Sequence, residues 1–415
     1  MAARKPIVMN GGQQEALQSG DVLYVGYEIP CVIGSPATAL KSDGTDSYWG
    51  TINEVPVIGG QDGWTLTWNG DSYGWVPSIG SNTIIEDIHL YVTTDGDDGV
   101  GDGSFENPWA TIDRAIEYIS DKFILNPAVV YIEVEAGNYP TTDILTIGHV
   151  NGSQVQILGD YNTETGIALT SMAGAAKNHT IVFTTAHPDW YTVNDYVLLY
   201  YATGGTDPRY AEGVHKVVSI VNAVVTLNSV TDSATNASGA VTFSITLPFV
   251  RLNRRISVTS NIGNIEGLQI VVAPASANEA IIDLGVNSYC GGTIIHTVVR
   301  STVAQNGIGV SIGRPGYWIF SYSGIANTKY SVFLQSAVLQ LMRSVLNGNI
   351  YGVYGIAQGN FYGYGNEATI VGNTTGIYLT DMSLYRHGAT PVIIGNGTNY
   401  SPAEHTSGNN GSFMG

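Results

Sequence analysis

The 415-residue sequence predicts an all-β chain whose C-terminal part is a β-solenoid, and three observations carry that expectation. Glycine is abundant, at 51 residues, while charged residues make up only 12% of the chain, about half the share of an ordinary domain. Helices draw on Glu, Lys, Arg, Ala and Leu, so this composition favours turns and strands. Short apolar strands recur at Ile308–Ile312, Val332–Leu334, Gly352–Tyr354 and Gly376–Leu379, and aligning Val310, Val332, Val353 and Ile377 gives steps of 22, 21 and 24 residues. A step of about 20–25 residues is one solenoid coil. Asn and Gly stand between the strands, as in Asn306-Gly307, Asn347-Gly348-Asn349 and Asn373 to Gly376. Both tolerate the left-handed backbone that coil corners demand.

Taken in order, residues 1–85 carry a turn signal every few residues, among them Asn10-Gly11-Gly12, Asp43-Gly44, Gly59-Gly60 and Asn69-Gly70-Asp71. Small β modules are expected there, with Trp64–Trp68 leading through Asn69-Gly70 into a hairpin. In residues 86–178, strand His89–Val92 is followed by the acidic loop Asp95–Gly103 and then by Pro108-Trp109-Ala110-Thr111-Ile112. Ile112, Ala115, Ile116 and Ile119 recur at i, i+3, i+4 and i+7, which predicts one short amphipathic helix. Strand Ala128–Val134 and Ala136-Gly137-Asn138-Tyr139 follow. Residues 179–250 hold four or five β-branched strands around the loop 202–213, an expected small barrel or sandwich looped out of the solenoid. Residues 251–400 form the main solenoid, near seven coils if each takes about 22 residues, with a rod length on the order of 30–35 Å. The Gly/Asn/Ser-rich stretch 401–415 reads as a flexible tail.

The order strand, Asp/Gly loop, Pro-aromatic-x-Thr-Ile helix, strand and Ala-Gly-x-Tyr resembles the opening of pectate-lyase-like right-handed β-helices, as found in bacteriophage tail spikes and tail fibres. The segments Val8–Val22 and Leu40–Gly50 also look like phage virion-protein heads. The resemblance covers about 85–160 by motif and 250–400 by pattern. It implies a right-handed parallel β-helix whose short N-terminal helix caps edge groups that would otherwise be unpaired. It further implies an N-terminal virion-attachment region, a homotrimer, other tail or baseplate proteins as partners, and a host surface glycan as receptor. The expected function is a phage-tail virion protein assembled in the host cytoplasm. The alternatives are a capsule depolymerase on the same scaffold and a purely structural baseplate part.

Charge and cysteines exclude several classes. The chain carries 34 acidic and 16 basic residues, a net of −18. Residues 251–400 carry 8 basic against 5 acidic, and Glu404 adds one negative charge, so the first 250 residues hold −20. Neither nucleic acid nor an anionic membrane surface is an expected partner. Cys31 and Cys290 share no metal-type spacing and read as reduced thiols. The start Met1 to Pro6 lacks a following apolar segment, so no secretory signal is expected. The longest apolar run, Ser331–Leu346, is cut by Gln335, Gln340 and Arg343, so no membrane insertion is expected.

The chemistry-bearing candidates are few. Counted from Asp95, the acidic loop has Glu106 at position twelve of a calcium-loop spacing but Val100 at position six, where glycine is required. Asp95, Asp97 and Asp102 are therefore named as metal candidates while the loop reads first as a solvated turn, and no cofactor is expected. Glycan hydrolysis needs two carboxylates about 5–10 Å apart. The candidates Glu266 and Asp283 are 17 residues apart, and Glu367 and Asp381 are 14 apart, so neither pair matches the coil step. The reading therefore leans away from an enzyme. The aromatic residues of the C-terminal half are more telling, because flat rings with a polar tip suit stacking on sugars. Neighbouring strand residues face opposite ways, so one of Tyr317 and Trp318 and one of Phe361 and Tyr362 must face outward. The glycan-contact candidates are Tyr317, Trp318, Tyr351, Tyr362 and Tyr378.

Overall fold

The computed structural model describes residues 82–401 except 142, 176–177, 230–234, 286–289, 314–315, 357–358, 364–367, 381–383 and 388–391. It also describes strand backbones within residues 7–77 and at Ser412–Met414. The chain divides into two compact units, Met1–Thr83 and Ile84–Gly415.

In the first unit three strand pairs are antiparallel: Ile7–Asn10 with Gln13–Ala16, Thr38–Ser42 with Ser47–Thr51, and Trp64–Trp68 with Tyr73–Pro77. The third is the hairpin expected across Asn69-Gly70.

The second unit is a parallel β-solenoid. Its strands return in turn to three sheets: sheet A, ten strands from Ile88–Val92 to Ser412–Met414; sheet B, eight from Gly137–Tyr139 to Val392–Ile394; and sheet C, eight from Leu145–Ile147 to Thr398–Ser401. Val310, Val332, Val353 and Ile377 are successive Cα partners in sheet C, the register that the 22, 21 and 24 steps predict. Inside sheet A the column Leu90, Ile132, Ile157, Ile265, Ile294, Phe320 and Leu341 is buried throughout. Each such side chain contributes about 1.5–3 kcal/mol on burial.

Two rows of single left-handed residues turn the coils. From sheet A to sheet B they are Gly267, His296, Tyr322 and Arg343; from sheet B to sheet C they are Asn327, Gly348, Gly372 and Gly395, preceded one coil earlier by the pair Gln305 and Gly307. After the second row comes a buried amide ladder. Asn349 Oδ1 accepts from the Thr328 N–H at 2.9 Å, Asn373 Oδ1 from the Asn349 N–H at 3.0 Å, and Asn396 Oδ1 from the Asn373 N–H at 2.9 Å. These asparagines thus satisfy corner backbone groups that neither water nor a sheet reaches.

The cap helix, Ile112–Ile119, covers the start of the core with Ile112, Ala115 and Ile119 buried. Thr111 is its N-cap, accepting from the Arg114 N–H, and Asp98 holds Thr111 in turn through its hydroxyl at 2.6 Å and its N–H at 3.0 Å. At the other end His149 Nε2 donates to the carbonyls of Ile119 and Lys122, each at 3.0 Å, which closes the helix C-terminus. Nδ1 accepts from the Asn151 N–H, fixing that tautomer.

The inserted module is a closed six-stranded barrel: Tyr161–Ala175, Asn178–Thr184, Tyr196–Thr203, Gly213–Val221, Val224–Ser229 and Thr242–Pro248. It starts earlier than the expected 179–250. Closure requires the first strand to pair with the last, and Tyr161 pairs with Pro248, so the strand Tyr161–Ala175 belongs to the barrel rather than to the coils. The barrel leaves after the sheet A strand Val155–Gly159 and returns at the sheet B strand Val250–Leu252, at the corner that one residue turns in later coils. It folds back onto sheet B, where Leu198, Tyr200 and Val214 pack on Val298, Ala326, Val345 and Val371. Approach is close: a Cβ on Gly324 would meet Val214 Cγ2 at 2.5 Å and Leu198 Cδ1 at 2.7 Å.

Candidate functional site

With the barrel on sheet B, the outward faces of sheets A and C remain. On sheet C one outward row reads Ser257, Asp283, Ser311, Phe333, Tyr354 and Tyr378 through successive Cα partners. Tyr330 and Tyr351 are partners in a second outward row beside it. Inward neighbours Val332, Val353 and Ile377 are fully buried, so alternation turns Phe333, Tyr354 and Tyr378 out.

These five rings form one surface. Tyr354 stacks on Tyr378 with centroids 4.9 Å apart and planes 6° from parallel, and Phe333 stacks on Tyr354 at 5.7 Å. Tyr330 stacks on Tyr351 at 5.3 Å, and the two rows meet edge-on at Tyr330–Tyr354, 4.8 Å, and Tyr351–Tyr354, 5.2 Å. Each ring is half-buried, so the ladder fixes its own geometry while one edge or face of each ring stays in contact with solvent. Lys329 Nζ lies 4.7 Å from the Tyr330 ring centroid and sets a cation at one end.

Of the glycan-contact candidates, Tyr351 and Tyr378 stand in this ladder. Tyr317 is exposed, but on sheet A, where its hydroxyl donates to Gln340 Oε1. Trp318 is a correction: it is fully buried in the solenoid core, because Tyr317 takes the outward position and its neighbour must then face in. Phe361 is likewise buried, and the side chain of Tyr362 lies outside the described residues. Phe333, Tyr330 and Tyr354 belong to the site without having been singled out. Their signal was present, since Phe333, Tyr354 and Tyr378 each follow by one residue the valines and isoleucine that set the coil period.

The carboxylate candidates do not form a pair. Glu266 lies on sheet A and accepts from the Tyr161 hydroxyl at 2.7 Å, whereas Asp283 lies on sheet C. Burial raises the Asp283 carboxyl above its usual range, against the opposing pull of Arg255 and Ser311. Arg255 itself is paired with Glu279 at 2.7 Å. Glu367 and Asp381 lie outside the described residues. In the acidic loop, Asp97 Oδ1 accepts from the Gly99 and Val100 N–H groups and Asp102 Oδ1 from the Ser104 N–H. The loop wraps buried Trp109, whose Nε1 donates to the Gly101 carbonyl at 2.8 Å. Among the described residues no three His, Cys, Asp or Glu side chains gather as a metal site, Asp95, Asp97 and Asp102 included. Nor is any described helix long and apolar enough to cross a membrane.

No family model matches the sequence, and no curated protein matches it. Solved structures that it is similar to include XylC in complex with xylose, at 11% identity and TM-score 0.34, covering 72% of this chain and 62% of that one. Two are phage tailspikes. The Gp54 tailspike of Acinetobacter baumannii bacteriophage AP22, in complex with A. baumannii capsular saccharide, matches at 10% identity and TM-score 0.16 over 62% of this chain and 63% of that one. The Pseudomonas phage phi297 tailspike gp61 matches at 14% identity and TM-score 0.22 over 63% and 61%. The chain thus spans less than two thirds of the length of each of these.

Proposed function

We propose that this chain is a virion component of a phage tail, of tail-fibre or tailspike type, and that it holds host surface saccharide against the ring ladder of sheet C. The ladder carries the saccharide reading: Tyr330, Phe333, Tyr351, Tyr354 and Tyr378 present contiguous half-open rings on one face. The C–H face of a pyranose stacks on such rings, and its hydroxyls bond to the phenol groups. The capsular saccharide in the AP22 tailspike is a property of that protein, and saccharide binding is inferred here from the ladder. The tail assignment is supported by the resemblance of residues 85–160 and by the solenoid body. Three copies would associate around a common axis, which light scattering would read as three times 44.1 kDa.

The reading is tested on an array of bacterial capsular and O-antigen oligosaccharides. Binding that the double substitution Tyr354→Ala/Tyr378→Ala weakens about fivefold or more is expected, since each aromatic stack contributes about 0.5–1.5 kcal/mol. Binding unaffected by that substitution, or no binding at all, would sink it. Asp283, two rungs along the same row from Phe333, supports a second reading in which the bound glycan is also cut. Release of reducing ends that Asp283→Asn abolishes would establish that alternative.

A further inference from the structure

A second site is built where the barrel leaves the solenoid. A cleft of about 310 Å³, within the range that small ligands occupy, lies beside the corner between sheets A and B. Tyr200, Tyr201, Thr203, Thr242 and Ser244 line it from the barrel side and Arg343 from the corner. It shares no residue with the ring ladder. Two β-bulges bound it, at Tyr200/Thr203 and at Glu164/Ile167, and bulges re-aim side chains towards sites.

The corner itself marks the place. From sheet B to sheet C the left-handed positions of the last four coils hold Asn or Gly, which adopt that backbone readily, and the coil before them holds Gln305 and Gly307. From sheet A to sheet B, three successive coils place His296, Tyr322 and Arg343 at φ 49°, 50° and 49°, and Tyr201, which meets Arg343 from the barrel, has φ 55°. Strained backbone held by bulky residues in three consecutive coils points to a use for their side chains. Those side chains form a spine: Tyr161 stacks on His296 at 4.3 Å, His296 on Tyr322 at 4.8 Å, and Arg343 Nη1 donates to the Tyr322 hydroxyl at 2.6 Å. The Arg343 guanidinium sits between rings, 5.3 Å from Tyr322 and 5.8 Å from Tyr201. Among the described residues every other one lining the cleft is uncharged, and a second guanidinium, that of Arg209 paired with Glu212, lies 5.8 Å from the Tyr201 ring, so the cleft has a cationic character among hydroxyls and phenols.

We propose that this cleft binds a carboxylate-bearing sugar residue, of uronic or sialic acid type. Arg343 takes the carboxylate, Tyr201 offers a ring face, and the hydroxyls of Thr203, Thr242 and Ser244 bond to the sugar. An arginine held between two rings is oriented in advance, which suits bidentate carboxylate recognition.

The test is ligand-observed NMR titration of the full chain with D-glucuronate, D-glucose and acetate. Glucuronate should bind at least tenfold more tightly than glucose, which lacks the carboxylate, and than acetate, which lacks the ring. Arg343→Asn, an exchange that the left-handed backbone tolerates, should keep the melting temperature within a few degrees and weaken glucuronate binding tenfold or more. Tyr201→Asn, on the barrel side, should do the same if Arg343→Asn disturbs the coil. Tyr354→Ala should leave glucuronate binding unchanged while weakening binding at the ladder, so the two sites fail separately. Glucuronate binding no tighter than glucose or acetate, or undiminished by both cleft substitutions, overturns the proposal, as does its loss in Tyr354→Ala.

Discussion

Replacing Asn373 by Ala would cut the amide ladder in its middle. The side chain is fully buried; its Oδ1 accepts from Asn349 N–H at 3.0 Å and from Asn349 Nδ2 at 2.9 Å, and its Nδ2 donates to the carbonyl of Leu346 at 3.0 Å and to Asn396 Oδ1 at 3.0 Å. Asn349 Nδ2 keeps the carbonyls of Ile325 and Asn347, so the group left without a partner is the Asn349 backbone N–H. One orphaned buried donor costs about 1–3 kcal/mol, and the lost bonds on the Nδ2 side add about 1 kcal/mol, so a loss of about 2–4 kcal/mol is expected. Asn373→Asp keeps the acceptor but buries a carboxylate against the Leu346 and Val371 carbonyls, so it should be worse at pH 8 than at pH 5. Urea unfolding followed by circular dichroism measures both, with Asn138→Ala on the exposed surface as control, expected within about 0.5 kcal/mol of the parent. An Asn373→Ala midpoint equal to that of the control would refute the ladder as a source of stability.

The remaining predictions concern the core, the cap, the barrel seam and pH. Trp318→Ala should destabilise by about 3–5 kcal/mol while Tyr317→Ala stays within about 1 kcal/mol, both read by thermal melting. Asp98→Ala removes the acceptor of the Ala110 and Thr111 N–H groups and should cost about 1–2 kcal/mol, visible as faster hydrogen exchange in the cap helix. Gly324→Ala drives a Cβ into Val214 and Leu198 and should loosen the barrel, raising limited proteolysis within residues 161–248 without melting the solenoid. Burial lowers His215 from 6.5 to about 3 and His296 from 6.5 to about 4. Unfolding therefore takes up protons below pH 6.5; the stability is present at pH 7 and is lost as pH falls towards 4. His215→Gln should shrink the drop in melting temperature between pH 7 and pH 4.5, and an unchanged drop would contradict that assignment.

The solenoid and the ladder differed in how far the sequence disclosed them. Coil period is a local, repeated signal, and Val310, Val332, Val353 and Ile377 reveal it because each inward position must be apolar and each corner must turn. Direction was harder to assign where two adjacent aromatics share a strand: alternation says that one of Tyr317 and Trp318 faces in, and only packing decides which. The barrel boundary was hidden because Tyr161–Ala175 is extended like any coil strand, and its pairing with Thr242–Pro248 is a long-range fact. The cleft was least legible. It is made by Arg343 and Tyr201, which lie 142 positions apart and meet only because the barrel is inserted at that corner.

The central claim is that the ring ladder of sheet C is the saccharide-contacting surface. Hydroxyl-radical footprinting of the full chain, read by mass spectrometry with and without the array's tightest-binding saccharide, tests it most directly. The account predicts that Tyr330, Phe333, Tyr351, Tyr354 and Tyr378 are oxidised in the free protein and protected on binding, with Tyr317 unchanged. Rings oxidised equally in both samples, or already protected in the free protein by a neighbouring copy, would contradict it.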